Sequence, residues 1–168
     1  MQGLPTRKTE YWRYTPLATL WHDKTFAALS EANRVAPRAL FENCLTIQCI
    51  DGALGQIDTL PKGVSIDTSI PKLQHDVDTT KHVMVPHNLK HASAGFTLQI
   101  DAQTEVEQLI VIEHHVTQPG AAYYRHHIEM GQGARATIVE LPCIHHDGMA
   151  NVLMTLDAAA QSTYHHIA

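Results

Sequence analysis

Three segments in the last third of the chain share one shape: Ile100-DAQTE-Val106, Met130-GQGAR-Ala136 and Leu156-DAAAQ-Ser162. Each places a small or apolar residue six positions after an aliphatic one, across a polar, turn-like stretch, and the segments open at positions 100, 130 and 156. Strand-like runs flank every corner, so the chain must return to the same place at near-regular intervals. Two architectures do this. Rungs of a parallel β-helix stack each inner face on the next, and antiparallel hairpins in a sandwich or barrel also bring successive corners together. The periodicity alone leaves both open.

Strand character returns at about Gly95 and lasts to the end of the sequence, and its two-residue period assigns faces. In YYRHHIEM the set Tyr124, His126, Ile128, Met130 shares one face, expected to point inward, and Tyr123, Arg125, His127, Glu129 shares the outward one. By the same alternation Ile110, Ile112, His114 and Val116 lie together, with Glu113 and His115 opposite. Upstream, CLTIQCIDGALGQI places Asp51-Gly52 between two strand-like runs, a hairpin signal because a type I′ turn needs positive φ at both central residues. Thr15-Pro16 reads as an N-cap followed by proline at the first helical position. A second helix is expected from about Asp23 to Val35, with Phe26, Leu29 and either Ala32 or Asn33 inward before Pro37 interrupts it. From Leu60 to His91 no sustained period appears.

The chain's 168 residues suit one domain, with about 70% of the unfolded surface buried on folding. Its formal charge of -5 argues against a general polyanion binder, so nucleic acid is not an expected partner. The longest strongly apolar run, Leu109 to Ile112, is far too short for a membrane span, and the start offers no apolar leader, so a soluble cytoplasmic protein with no membrane partner is expected. Cys44, Cys49 and Cys143 form no C-x-x-C pair and are read as small buried hydrophobes. Four of the ten aromatic residues, Tyr11, Trp12, Tyr14 and Trp21, crowd the first 21 positions among Arg7, Lys8, Glu10 and Arg13, as in a segment that docks onto something.

Thirteen histidines, eight of them in His-His pairs, invite a metal reading. Adjacent histidines on a strand point to opposite faces, so the two members of a pair cannot converge on one ion. A zinc or iron site needs three or four donors at about 2.0 to 2.3 Å, and no H-x-H or H-E-x-x-H supplies them locally. No metal ligand is therefore assigned, although stacked strands can bring remote positions within about 5 Å. Cys143 near His145 and His146 follows Pro142 in LPCIHHDG, a turn or strand edge, and sequence proximity gives neither a base nor a lowered pKa. MGQGA lacks the third glycine and following helix of a dinucleotide fingerprint and reads as a tight turn.

GLPTRKTEYWRYTPL, Gly3 to Leu17, resembles the G-[LF]-P-T-[RK]-K-x-E-x-W-[RK]-Y-T-[PD]-L segment of SufD-like members of the SufB/SufD family. AYYRHHIEMGQGARATIVE, Ala122 to Glu140, is similar to that family's entry into its β-helix, and CIDGALGQ to its V-D-G turn, in the same order along the chain. The resemblance implies a mainly β fold: the start of a right-handed parallel β-helix, over 95–168, preceded by an N-terminal helical segment over 1–43 and a hairpin with irregular connections over 44–94. It further implies a non-enzymatic, cytoplasmic scaffold in iron–sulfur cluster assembly and iron acquisition, pairing with SufB and binding the ATPase SufC. Members are more than twice as long, so the chain is expected to be an N-terminal portion, with an open β edge that leaves it marginal alone. No cluster ligand carries over to any residue here. The expectation is no tightly bound cofactor in the fragment and a nascent iron–sulfur cluster in the intact complex. The competing reading is a small metal-dependent barrel or sandwich enzyme using clustered strand histidines.

Overall fold

The computed structural model describes residue 29 and residues 41–73, 77–78, 82, 84–145 and 147–168. The Gly3–Leu17 segment, the expected helix after Thr15 and all but Leu29 of the expected Asp23–Val35 helix lie outside them. The described chain is mainly β. Its elements are β1 Cys44–Ile50, β2 Ala53–Ile57, β3 Val64–Asp67, α1 Val85–His91, β4 Ala94–Ile100, β5 Leu109–Val116, β6 Gly120–Met130, β7 Arg135–Ile144, β8 Gly148–Ala158 and β9 Thr163–Ile167.

Two sheets result, a five-stranded one in the order β2-β1-β5-β7-β9 and a four-stranded one in the order β3-β4-β6-β8. From β4 onward the chain alternates between the sheets, and each strand pairs in parallel with the next strand of its own sheet. Parallel pairing removes the antiparallel-hairpin alternative for these strands. Ala94 pairs with Tyr124, Tyr124 with Val152, and Ile110 with Ile138, so successive windings of nearly equal length stack in register.

The corners explain the repeat and correct its third copy. Gln103, Gly133 and Gln161 each hold positive φ, of 59°, 67° and 61°. The corner backbones hydrogen-bond to one another, Gln103 N–H to Gln132 O at 2.9 Å and Gly133 N–H to Ala160 O at 3.1 Å. Met130 therefore stacks on Ala158, not on Leu156, which follows Ile128. The sequence alignment of the corners fell two positions short because Asp157 resembles Asp101 while the turn itself begins two positions later. A slip of two keeps every side chain on its face, so the face assignments survive it.

Between the sheets lies the core, including Ile47, Phe96, Leu98, Ile110, Ile112, Ile128 and Ile138. Each such fully buried side chain contributes about 2 kcal/mol of transfer free energy. Tyr124, His126, Ile128 and Met130 point inward as the alternation requires. The opposite faces are not bare, however: Tyr123, His127, Glu113 and His115 are also buried. Tyr123 lies against His91 of α1 with ring centroids 5.3 Å apart. Glu113 accepts from Gln48 Nε2 at 3.1 Å and contacts His115 Nε2 at 2.9 Å.

Asp51 and Gly52 form the expected turn between the antiparallel β1 and β2, with φ of 47° and 82°. Gly52 is required twice over, since a Cβ there would lie 2.0 Å from the Leu29 carbonyl oxygen. Leu29 itself is not helical: its N–H donates to Ala121 O at 3.0 Å, and the side chain packs against the core as its inward assignment requires. The region 60–91 holds β3 and the short helix α1, which the sequence did not signal. Pro86 lies in the first turn of α1, one start signal, but the N-cap Met84 makes no side-chain bond, so the capping signal was missing. Asn88 ties this helix to the sheet, donating to Tyr124 O at 2.8 Å and Asn151 Oδ1 at 3.0 Å.

Candidate functional site

Inside the core, the inward row of β1 runs Leu45, Ile47, Cys49 and that of β5 runs Ile110, Ile112, His114, with Cys49 directly beside His114 in the parallel register. Across the interior, β6 contributes His126 between Tyr124 and Ile128. One donor atom from each of Cys49, His114 and His126 lies within 4.8 Å of the others, and all three residues are buried. His114 Nε2 and His126 Nε2 are 3.2 Å apart. Phe96 stacks on His126 at 4.1 Å and Tyr124 leans on His114 at 5.2 Å, which fixes both rings.

A second layer adds charge. Glu140, inward on β7, places Oε2 3.8 Å from His114 Nδ1 and Oε1 2.7 Å from His166 Nε2 on β9. Tyr164 Oη reaches Met154 Sδ at 3.6 Å on the same side of the interior. Among the described residues, soft and nitrogen donors thus line the interior on β1, β5, β6, β8 and β9.

Burial controls the protonation of this group. It holds the His114 imidazole down at about 4, helped by the neighbouring His115. It holds His126 well below the ordinary range, with His114 adding to the effect. Burial first, and then the Glu140 charge, push the Cys49 thiol upward. With no ion present the trio is a neutral thiol beside two neutral imidazoles. Two neutral imidazoles can share only one proton in the Nε2 contact, and His126 Nδ1 has no hydrogen-bond partner among the described residues. An unmet buried polar atom of this kind costs about 1–3 kcal/mol.

The His-His pairs on β5 and β6 divide between faces, as strand geometry demands. His114 and His126 point in; His115 and His127 point out. His127 Nδ1 meets Thr155 Oγ1 at 2.8 Å, and its Nε2 lies 3.4 Å from Asp157 and 3.5 Å from Glu129. In the last pair His166 approaches Glu140 and His165 is exposed. Of the cysteines only Cys49 is a buried hydrophobe in the expected sense; Cys44 and Cys143 are half-buried. Pro142 lies on β7 beyond Val139, where the pairing with β9 stops, so its missing N–H breaks no bond there. MGQGA is the tight turn between β6 and β7.

The sequence showed that no local motif supplies a ligand set, and none does: the three donors come from three strands. Inward parity was legible for His126, and His114 was grouped with the apolar Ile110, Ile112 and Val116 face; Cys49 was read only as a buried hydrophobe. The register that puts position 49 beside 114, and both opposite 126, was not.

No model of a known protein family matches the chain. It is similar to the iron–sulfur cluster assembly protein SufD of Escherichia coli (strain K12), 27% identical over 182 aligned positions that take in 98% of this chain and 42% of the relative. The chain spans less than half the length of that relative. Among the described residues no helix is long and apolar enough to cross a membrane. The similarity supports a SufB/SufD-like relationship.

Proposed function

We propose that this chain is a non-enzymatic, cytoplasmic scaffold component of iron–sulfur cluster assembly that works with SufB and SufC and handles the nascent cluster as cargo. The observation that carries this reading is the similarity to SufD through 98% of the chain. The winding of β4 to β9 supports it. Strands that alternate between two sheets and stack in parallel at nearly constant intervals are what the first turns of a β-helix would give. Parallel crossovers are nearly always right-handed, so the proposed coil is a right-handed parallel β-helix. The metal-enzyme alternative draws on the buried Cys49, His114 and His126 cluster, but no similarity to an enzyme stands behind it. Co-purification of the chain with its cognate SufB and SufC, read as complex mass by light scattering, tests the proposal. A stable complex is the expected result; a chain that elutes apart from both partners overturns it.

A further inference from the structure

We propose that Cys49, His114 and His126 bind one divalent transition-metal ion of the zinc or iron(II) class between the two sheets. This stands on the interior geometry of the chain alone and does not depend on its role in cluster assembly. It replaces the expectation of no tightly bound cofactor in the fragment, which rested on the absence of local ligand motifs and on the family resemblance.

Four observations converge. First, ligand nitrogens of a tetrahedral ion, each at about 2.0–2.1 Å, lie about 3.3 Å from each other, and the His114 and His126 nitrogens already stand 3.2 Å apart. Second, a thiolate with two imidazoles suits a borderline-soft ion and not calcium or magnesium, which take oxygen donors. Third, Glu140 lies on the side of the other ring nitrogen of His114, 3.8 Å away, a few tenths of an ångström beyond the hydrogen bond by which a carboxylate orients a ligand imidazole; His166 in turn holds Glu140 at 2.7 Å. Fourth, the charges close. The Cys49 thiolate and the Glu140 carboxylate together match a doubly charged ion, so the loaded interior carries no net charge into a low-dielectric core.

Binding exchanges the thiol proton for the metal–sulfur bond, and the proton leaves to solvent. Among the described residues no further cysteine, histidine or carboxylate shares the same radius, so the fourth position takes a small neutral exogenous ligand such as water. The metal-free alternative is a polar trio among Ile, Phe and Tyr side chains with one ring nitrogen unpaired, an arrangement that an apolar trio would improve upon.

The test uses the whole chain, stripped with chelator and titrated anaerobically with cobalt(II), then with zinc in competition. One equivalent of cobalt should give the intense visible bands of a tetrahedral ion together with a thiolate-to-cobalt charge-transfer band in the near ultraviolet. Cys49→Ala should abolish the charge-transfer band, and His126→Gln, which removes a direct ligand, should weaken binding by more than the about 100-fold that loss of an outer-shell partner costs. His165→Gln, on an exposed ring, should change neither. Should the core variants fail to fold, alkylation of the unaltered chain decides: zinc should slow modification of Cys49 and leave Cys44 and Cys143 unchanged. A titration without the charge-transfer band, binding that survives Cys49→Ala, or alkylation of Cys49 indifferent to zinc overturns the proposal and leaves a hydrogen-bonded polar cluster.

Discussion

Acidification of the metal-free chain should destabilise it through the two interior imidazoles. His114 is held at about 4 in the folded chain against its ordinary 6.5, chiefly by burial. Its folded pKa is depressed, so the unfolded state binds the proton first. The contribution is complete above about 6.5 and is lost as pH falls toward about 4, below which the folded state protonates too. At about 1.4 kcal/mol per unit, the full loss is about 3 kcal/mol, of which about 2 kcal/mol is gone by about pH 5. His126 is shifted in the same direction. With its nitrogen 3.2 Å from that of His114, one charged ring opposes the other, so the pair takes up its two protons in separate macroscopic steps. The charged or titratable groups packed around them are Cys49 from β1, Tyr124 from β6 and Glu140 from β7, with His115 next to His114 on the outward face of β5. Urea unfolding in chelator between about pH 7.5 and about pH 5 measures the slope, and the His114→Gln, His126→Gln double variant should flatten it. Equal slopes in the two proteins, or an imidazole resonance of His114 that titrates near its ordinary value, would refute the reasoning.

Three further outcomes follow from the packing. Tyr124→Phe removes the oxygen that accepts the Gly52 N–H at 2.9 Å, and the orphaned amide should cost about 1–3 kcal/mol in urea unfolding. Gly95→Ala would set a Cβ 1.9 Å from the Arg125 carbonyl oxygen; the strand must shift, and a loss on the order of 3 kcal/mol should appear as a lower thermal midpoint. Asn88→Ala cuts the bonds from α1 to Tyr124 O and Asn151, so amide exchange over Val85–His91 should accelerate while exchange in β6 stays slow.

Face assignment was legible because it needs only the two-residue period. Tyr124, His126, Ile128, Ile112 and His114 all point where alternation puts them. The Asp51-Gly52 turn was legible because its chemistry is local and both φ values are positive. What escaped was non-local. Parallel and antiparallel stacking share one pattern of hydrophobicity, and only the pairing of Ile110 with Ile138 separates them. The Cys49 and His114 contact joins β1 to β5 across the whole of β2, β3, α1 and β4. Burial of His115 and His127 on the outward faces depends on neighbours such as Glu113 and Thr155, which no periodicity marks. The helix α1 lacks a capping side chain and is held by Asn88, a tertiary bond, so neither propensity nor capping announces it.

The most direct measurement on the central claim is the iron and acid-labile sulfide bound per SufB–SufC complex, isolated anaerobically from cells that express both partners with and without this chain. The account predicts that iron and sulfide both fall when the chain is omitted and return when it is restored. Equal iron and sulfide in the two preparations would contradict it.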